Sequence, residues 1–199
     1  WTALTFPKIK SHTLYTTISS GAASYLKASS SSSASALLHN KTFSVYDYPK
    51  IKWKWKIDNV YKSANVLEKS GDDYPIRLYI IFQYDPSNAT FFEKIKYNAA
   101  KLAYGKYPPL SSLNYVWSSH ETDMENYPNP FSDRAIMIPL EKGNKNIGKW
   151  ITESVDILRD YRKIFKKDPP ENASLAIMND SDNTNEYAVS YITDIEIYK

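Results

Sequence analysis

The chain has no cysteine and only five glycines in 199 residues. The first absence excludes disulfides, thiol nucleophiles and cysteine-ligated metal centres. The second leaves no glycine-rich loop to cradle phosphate groups. No apolar run approaches the ~20 residues that a membrane-spanning helix needs. The three histidines, His12, His39 and His120, stand far apart, without the Glu-x-x-His or His-x-x-x-His spacing of a zinc site. No Gly-x-Ser-x-Gly elbow marks a nucleophilic serine. Basic residues number 25 and acidic residues 22, mixed along the chain to a net charge of +3. That balance lacks the clustered basic stripe of a nucleic-acid-binding protein. A signal peptide is also missing and the chain opens on Trp1. It is read as the mature form of an exported protein, periplasmic or extracellular, whose targeting segment has been removed.

Aromatic side chains, by contrast, are plentiful: 17 tyrosines and 5 tryptophans. They favour β structure and binding surfaces. The most informative stretch is Ile51-Lys52-Trp53-Lys54-Trp55-Lys56-Ile57, where apolar and cationic residues alternate strictly. As a strand it carries its isoleucines and tryptophans on one face and its lysines on the other. A covered face of that depth calls for a second sheet packed on it. Strands are also expected over His12–Ile18 and Ala23–Ala28 around a Ser19-Ser20-Gly21 turn, and over Tyr74–Gln83, whose two apolar faces place it centrally in its sheet. Further strands are expected at Leu113–Trp117, Asp133–Leu140, Trp150–Val155, Leu175–Met178 and Tyr187–Tyr198. In the last, Tyr187, Val189, Tyr191, Ile195 and Ile197 are read as one side. The Ser/Ala run Ser29–Ala36 reads as a solvated loop or edge ribbon.

Two helices are expected. Phe91–Tyr104 carries apolar residues at helical spacing, with Gly105 as its end and Pro108-Pro109 barring continuation. Ile157–Phe165 is the second. Turns recur every ten or so residues, and no sequence repeat or domain linker is present. The chain is read as one domain, residues 1–199: an all-β, jelly-roll-like β-sandwich with two short connecting helices.

Several stretches, in order along nearly the whole chain, resemble an exported bacterial family known as domain-of-unknown-function family 3047. They are Tyr25-Leu26-Lys27-Ala28 with the following serines, Ile51-Lys52-Trp53-Lys54-Trp55, Gly71-Asp72-Asp73-Tyr74-Pro75-Ile76-Arg77 and Leu113-Asn114-Tyr115-Val116-Trp117. Trp150, Asp160-Tyr161-Arg162, Asp180-Ser181-Asp182-Asn183-Thr184 and Tyr191-Ile192-Thr193-Asp194-Ile195 complete the set. Lys56 stands where the family pattern favours arginine, and Asn185-Glu186 where it favours a glycine pair. The resemblance implies no activity. Its pattern is similar to jelly-roll domains appended to glycan-active enzymes, which implies a glycan or other cell-envelope ligand by analogy of fold alone.

Chemistry-bearing residues are few. Asp72 and Asp73 precede a strand that begins near Arg77, either as carboxylates at a sheet rim or as turn residues with a structural ion pair. Asp180, Asp182, Asn183 and Thr184 resemble the start of a cation loop, but Asn185 and Tyr191 occupy the places that need glycine and glutamate. No cofactor is called for; the one left open is a structural calcium ion held by Asp194 and backbone carbonyls. Otherwise the Asp/Asn-rich segment reads as a polar hairpin held by Asx turns. Trp53, Trp55 and Trp150 read as core, whereas Tyr115 and Trp117 flank a polar loop and could stack on sugar rings. The expected ligand surface is therefore the rim of Asp72, Asp73, Arg77, Tyr115, Trp117, Asp180, Asp182 and Asn183, in a non-catalytic binding module. Two alternatives are a jelly-roll glycan hydrolase or lyase using the rim carboxylates, and a protein-interaction domain.

Overall fold

A computed structural model describes residues 1–21, 23–87, 89–104 and 107–199. Gly105, the expected helix end, and Asn88, in the turn after the central strand, lie outside these residues.

Lys50–Ile57 forms β6, and its alternation is realised directly. Ile51, Trp53, Trp55 and Ile57 are fully buried, while Lys52 and Lys54 are exposed. β6 pairs antiparallel with Ile151–Asp156 (β11) on one side and Tyr187–Tyr198 (β13) on the other. The hairpin of Leu14–Ser20 (β2) and Ala23–Ser31 (β3) turns at Gly21, whose φ of 62° suits glycine. The five-stranded sheet runs β11-β6-β13-β3-β2.

Opposite it lies an eight-stranded sheet. Its main path is Thr2–Leu4 (β1), Ala34–Leu38 (β4), Asn172–Asp180 (β12), Arg77–Phe82 (β7), Ser111–Ser118 (β8), Ser132–Lys142 (β10) and Tyr127–Asn129 (β9). Phe43–Ser44 (β5) pairs with β12 beside that path. β7 is central, as its two apolar faces require. β8 and β10 are parallel. The segment between β8 and β10 contains β9, which closes that edge. The two sheets form a β-sandwich, mostly strand, with two helices, Phe91–Tyr104 (α1) and Ile157–Phe165 (α2). Between them Trp53, Trp55, Tyr115, Trp117, Phe82 and Tyr161 make an aromatic centre surrounded by aliphatic side chains. α2 begins at Asp156, whose carboxylate accepts from the Arg159 amide, and ends at Lys166 in the left-handed region.

Four expectations change. Ser29–Ala36 is no solvated loop: Ser30, Ser33, Ala34, Ser35 and Ala36 are buried, and Ser32 turns the chain from β3 into β4 at a φ of 46°. Small side chains here let the strands approach closely, and their hydroxyls find partners such as Tyr61 and the Thr13 carbonyl. β12 and β13 are not a hairpin, because they belong to different sheets and Asn179–Asn185 crosses between them. β13 does not keep one side throughout. Asp194 adopts a φ of 54° in a bulge that shifts the register between Thr193 and Glu196. Tyr187 and Tyr191 therefore face outward, whereas Ile195 and Ile197 join the core. Finally, Trp150 is 40% exposed and lies outside the core.

Candidate functional site

The expected rim residues do converge, but in the interior. Arg77 opens β7 and Asp180 ends the neighbouring β12, so 103 residues of chain are closed into one contact. The guanidinium donates from Nε to Asp180 Oδ1 at 3.0 Å and from Nη2 to Asp180 Oδ2. Nη2 also donates to the Asp72 carbonyl at 2.9 Å, and Nη1 lies 3.5 Å from the Asp72 carboxylate. The Tyr74 ring covers the guanidinium at 4.5 Å. Asp72 accepts from Asn129 Nδ2 at 2.6 Å. Asp73 turns the other way and accepts from the Thr184 amide at 2.6 Å and from Asn183 Nδ2 at 3.1 Å. Asp72, Asp73, Arg77 and Asp180 are each at most 3% exposed.

This is a correction to the expected ligand rim: these four side chains are a buried ion-pair network tying β7, β12 and the Asn179–Asn185 crossing together. Only Asp182 and Asn183 remain partly exposed. Carboxylate oxygens of Asp73, Asp180 and Asp182 lie within 4.8 Å of one another, the residues through which a cation would have to be held. Both oxygens of Asp180 already accept from Arg77, and both of Asp73 from Asn183 and Thr184. Burial, and next the charge of Asp73, push the Asp182 carboxyl above its ordinary range. Asp194, the expected calcium ligand, instead pairs with Lys54 at 3.0 Å on the outer sheet face.

Tyr115 and Trp117 are also corrected. Both point into the core and are fully buried, with Trp117 6.0 Å from Trp55 and Tyr115 5.6 Å from Trp53 between ring centroids. Their polar ends are satisfied internally, Trp117 Nε1 by the Gly143 carbonyl at 3.0 Å and Tyr115 Oη by Asp160 at 3.0 Å. Neither ring is available to a sugar.

A cluster of aromatic rings lies instead on the outer face of the five-stranded sheet. Cross-strand register sets Lys27, Tyr191 and Lys56 in one row, with Trp150 just ahead of β11 at its end. Tyr25, Trp150 and Tyr191 meet edge to face, with centroids 5.7 to 6.3 Å apart. Lys56 Nζ sits 4.2 Å from the Tyr191 centroid and 5.6 Å from that of Trp150. Tyr191 donates to Asp58 at 2.7 Å, and burial followed by that bond pushes its phenol up to about 12. The sequence carried a signal for this patch: Tyr25 and Lys27 alternate with core residues, as do Lys56 and Tyr191. Trp150 hid it by standing one residue before its strand.

An inter-sheet cleft of about 710 Å³ opens nearby, lined by aliphatic side chains including Leu26, Leu37, Leu175, Ile177, Ile192 and Ile195, with Trp1 and His39 at its mouth. Its lining is mixed, the aliphatic side chains being joined by the polar groups of Tyr15, Thr17, Ser24, Tyr25, Thr193 and Asp194.

Glu153 is the other group that sequence reasoning passed over. It lies on the β11 face that meets Trp53, and burial, then the charge of Glu141, push its carboxyl from 4.5 up to about 7. A folded state that holds this proton more tightly than the unfolded chain loses stability as pH rises from about 4.5 through about 7. Glu153→Gln removes that dependence. Its melting temperature should match wild type near pH 4.5 and exceed it above pH 7, measured by thermal unfolding at both ends; equal values at both would show that Glu153 ionises freely.

The family described as protein of unknown function (DUF3047) matches residues 1–196, and the chain belongs to that family. No curated protein matches it.

Proposed function

We propose that this member of the DUF3047 family is an exported, non-catalytic binding module for a cell-envelope glycan, and that its contact surface is the outer face of the five-stranded sheet. The observation that carries the reading is the surface cluster of exposed Trp150 with half-buried Tyr25 and Tyr191, bordered by Lys27 and Lys56. Pyranose C–H faces stack on such rings, and the two lysines favour a glycan bearing carboxylate or phosphate groups. Binding is favoured over hydrolysis because, of the three carboxylates brought close together, Asp73 and Asp180 are buried and hydrogen-bonded within the protein, which leaves Asp182 alone partly exposed where hydrolysis takes a pair. A general acid must reach the glycosidic oxygen.

Incubating the pure protein with a panel of neutral and anionic polysaccharides and cell-wall preparations tests the reading, with retention and released fragments scored in the same tubes. Retention on anionic glycans without fragments is the expected result. Released fragments would replace the binding module with an enzyme, and no retention on any glycan would remove the glycan.

A further inference from the structure

The apolar stripe of α1 faces away from the body of the protein. Phe91, Phe92, Ile95 and Leu102 are 72, 80, 55 and 89% exposed. At 100° per residue they fall within one arc of about 100° on the helix surface. Tyr97, which is buried against the body, lies on the opposite side, stacked on Tyr84 at 3.8 Å and 6° between planes. Arg134 donates to its hydroxyl at 2.5 Å, and that hydroxyl reaches the Pro109 carbonyl at 3.3 Å.

The helix is nevertheless specified by its own residues. Thr90 and Glu93 form a reciprocal capping box: the Thr90 amide donates to Glu93 Oε2 at 3.0 Å and the Glu93 amide to Thr90 Oγ1 at 3.3 Å. A well-started helix thus presents its apolar stripe straight away from the protein. Charge decides what covers it. Lys96 borders the stripe on one side, Lys94 and Lys101 on the other, all exposed. The single acidic residue of the helix, Glu93, lies on the body side, engaged by Thr90.

We propose that α1 is an interfacial anchor that lays Phe91, Phe92, Ile95 and Leu102 into the surface of an anionic lipid bilayer, with Lys94, Lys96 and Lys101 at the level of the headgroups. An apolar stripe between lysines is the pattern of helices that lie in the membrane interface. Each lysine held near an anionic surface contributes roughly five-fold in affinity at moderate salt. Among the described residues no helix is long and apolar enough to cross a membrane, so the contact is peripheral. It is independent of the glycan reading and uses other residues.

The test is co-sedimentation with vesicles of phosphatidylglycerol and phosphatidylcholine in equal parts, against vesicles of phosphatidylcholine alone, at low salt and at 0.5 M salt (about a 4 Å screening length). The protein should sediment with the anionic vesicles at low salt, at least ten-fold more weakly at 0.5 M, and hardly at all with the neutral ones. The Phe92→Asp/Leu102→Asp variant should lose the binding and keep the wild-type melting temperature, because both side chains are almost fully exposed. Equal binding to neutral vesicles, undiminished binding by the variant, or no binding to either vesicle overturns the proposal. In the last case, a dimer in light scattering that the variant dissociates would assign the stripe to a second copy of the chain.

Discussion

Replacing Arg77 with methionine lowers the stability of the fold by about 3–5 kcal/mol, the usual cost of leaving a buried ion-pair partner unpaired. The size follows from what Arg77 faces. Its guanidinium satisfies both Asp180 oxygens and the Asp72 carbonyl, and it is the one cation among four neighbouring carboxylates of which three are buried. Burial works against its charge, and the neighbouring carboxylates, Asp72 first, favour it. For a chain of this length the loss corresponds to a fall in melting temperature of roughly 6–20 °C. Arg77→Lys should recover only part of it, because a single ammonium cannot reproduce the fork that holds two acceptors on Asp180 and a third on Asp72. A variant within 2 °C of wild type, by thermal unfolding at pH 7, would contradict the buried network.

Trp117→Ala has an effect of similar size and a different origin. The indole fills the space between Trp55 and the rest of the aromatic centre and donates its N–H to the Gly143 carbonyl. Truncation opens a cavity in a close-packed core and strands that carbonyl, costing about 3–5 kcal/mol. Trp117→Phe should cost clearly less, since most of the volume stays and only the hydrogen bond and part of the ring are lost. Chemical denaturation should show both as shifts in midpoint at an unchanged slope. A small loss for the alanine variant would mean that the ring is a surface group after all.

The strand around Trp53 and Trp55 was legible because one of its faces is covered and the other wet, which period-2 alternation reports directly. The centrality of β7 and both helices were legible for similar reasons. What failed was anything that depends on a distant partner. Asp72, Asp73, Arg77 and Asp180 look like surface charges until β12 is placed beside β7, and nothing local says that residues 103 apart will meet. Ser29–Ala36 looks like a solvated ribbon because small polar side chains signal a loop equally well as a tight packing layer. A helical period at Phe91–Leu102 reveals a stripe but not which way it faces. In β13 the left-handed residue is Asp194, a residue type that tolerates this conformation without announcing it, so the alternation was carried across a bulge that reverses it. The outer patch was hidden for the converse reason: its aromatic rings come from three segments, each of which looks like half of an ordinary strand.

The contact surface is tested most directly by one comparison, made on whichever anionic polysaccharide retains the wild-type protein. Trp150→Ala and Asp182→Ala are run side by side in affinity electrophoresis, one on the outer aromatic face and the other at the partly exposed edge of the Asp/Arg network. Loss of one base-stacking-sized contact, about 1–3 kcal/mol, predicts that Trp150→Ala weakens retention roughly 5- to 150-fold while Asp182→Ala leaves it within two-fold. The reverse result, with Asp182→Ala releasing the protein and Trp150→Ala retained, would return the binding surface to the Asp182 and Asn183 crossing and contradict the aromatic face.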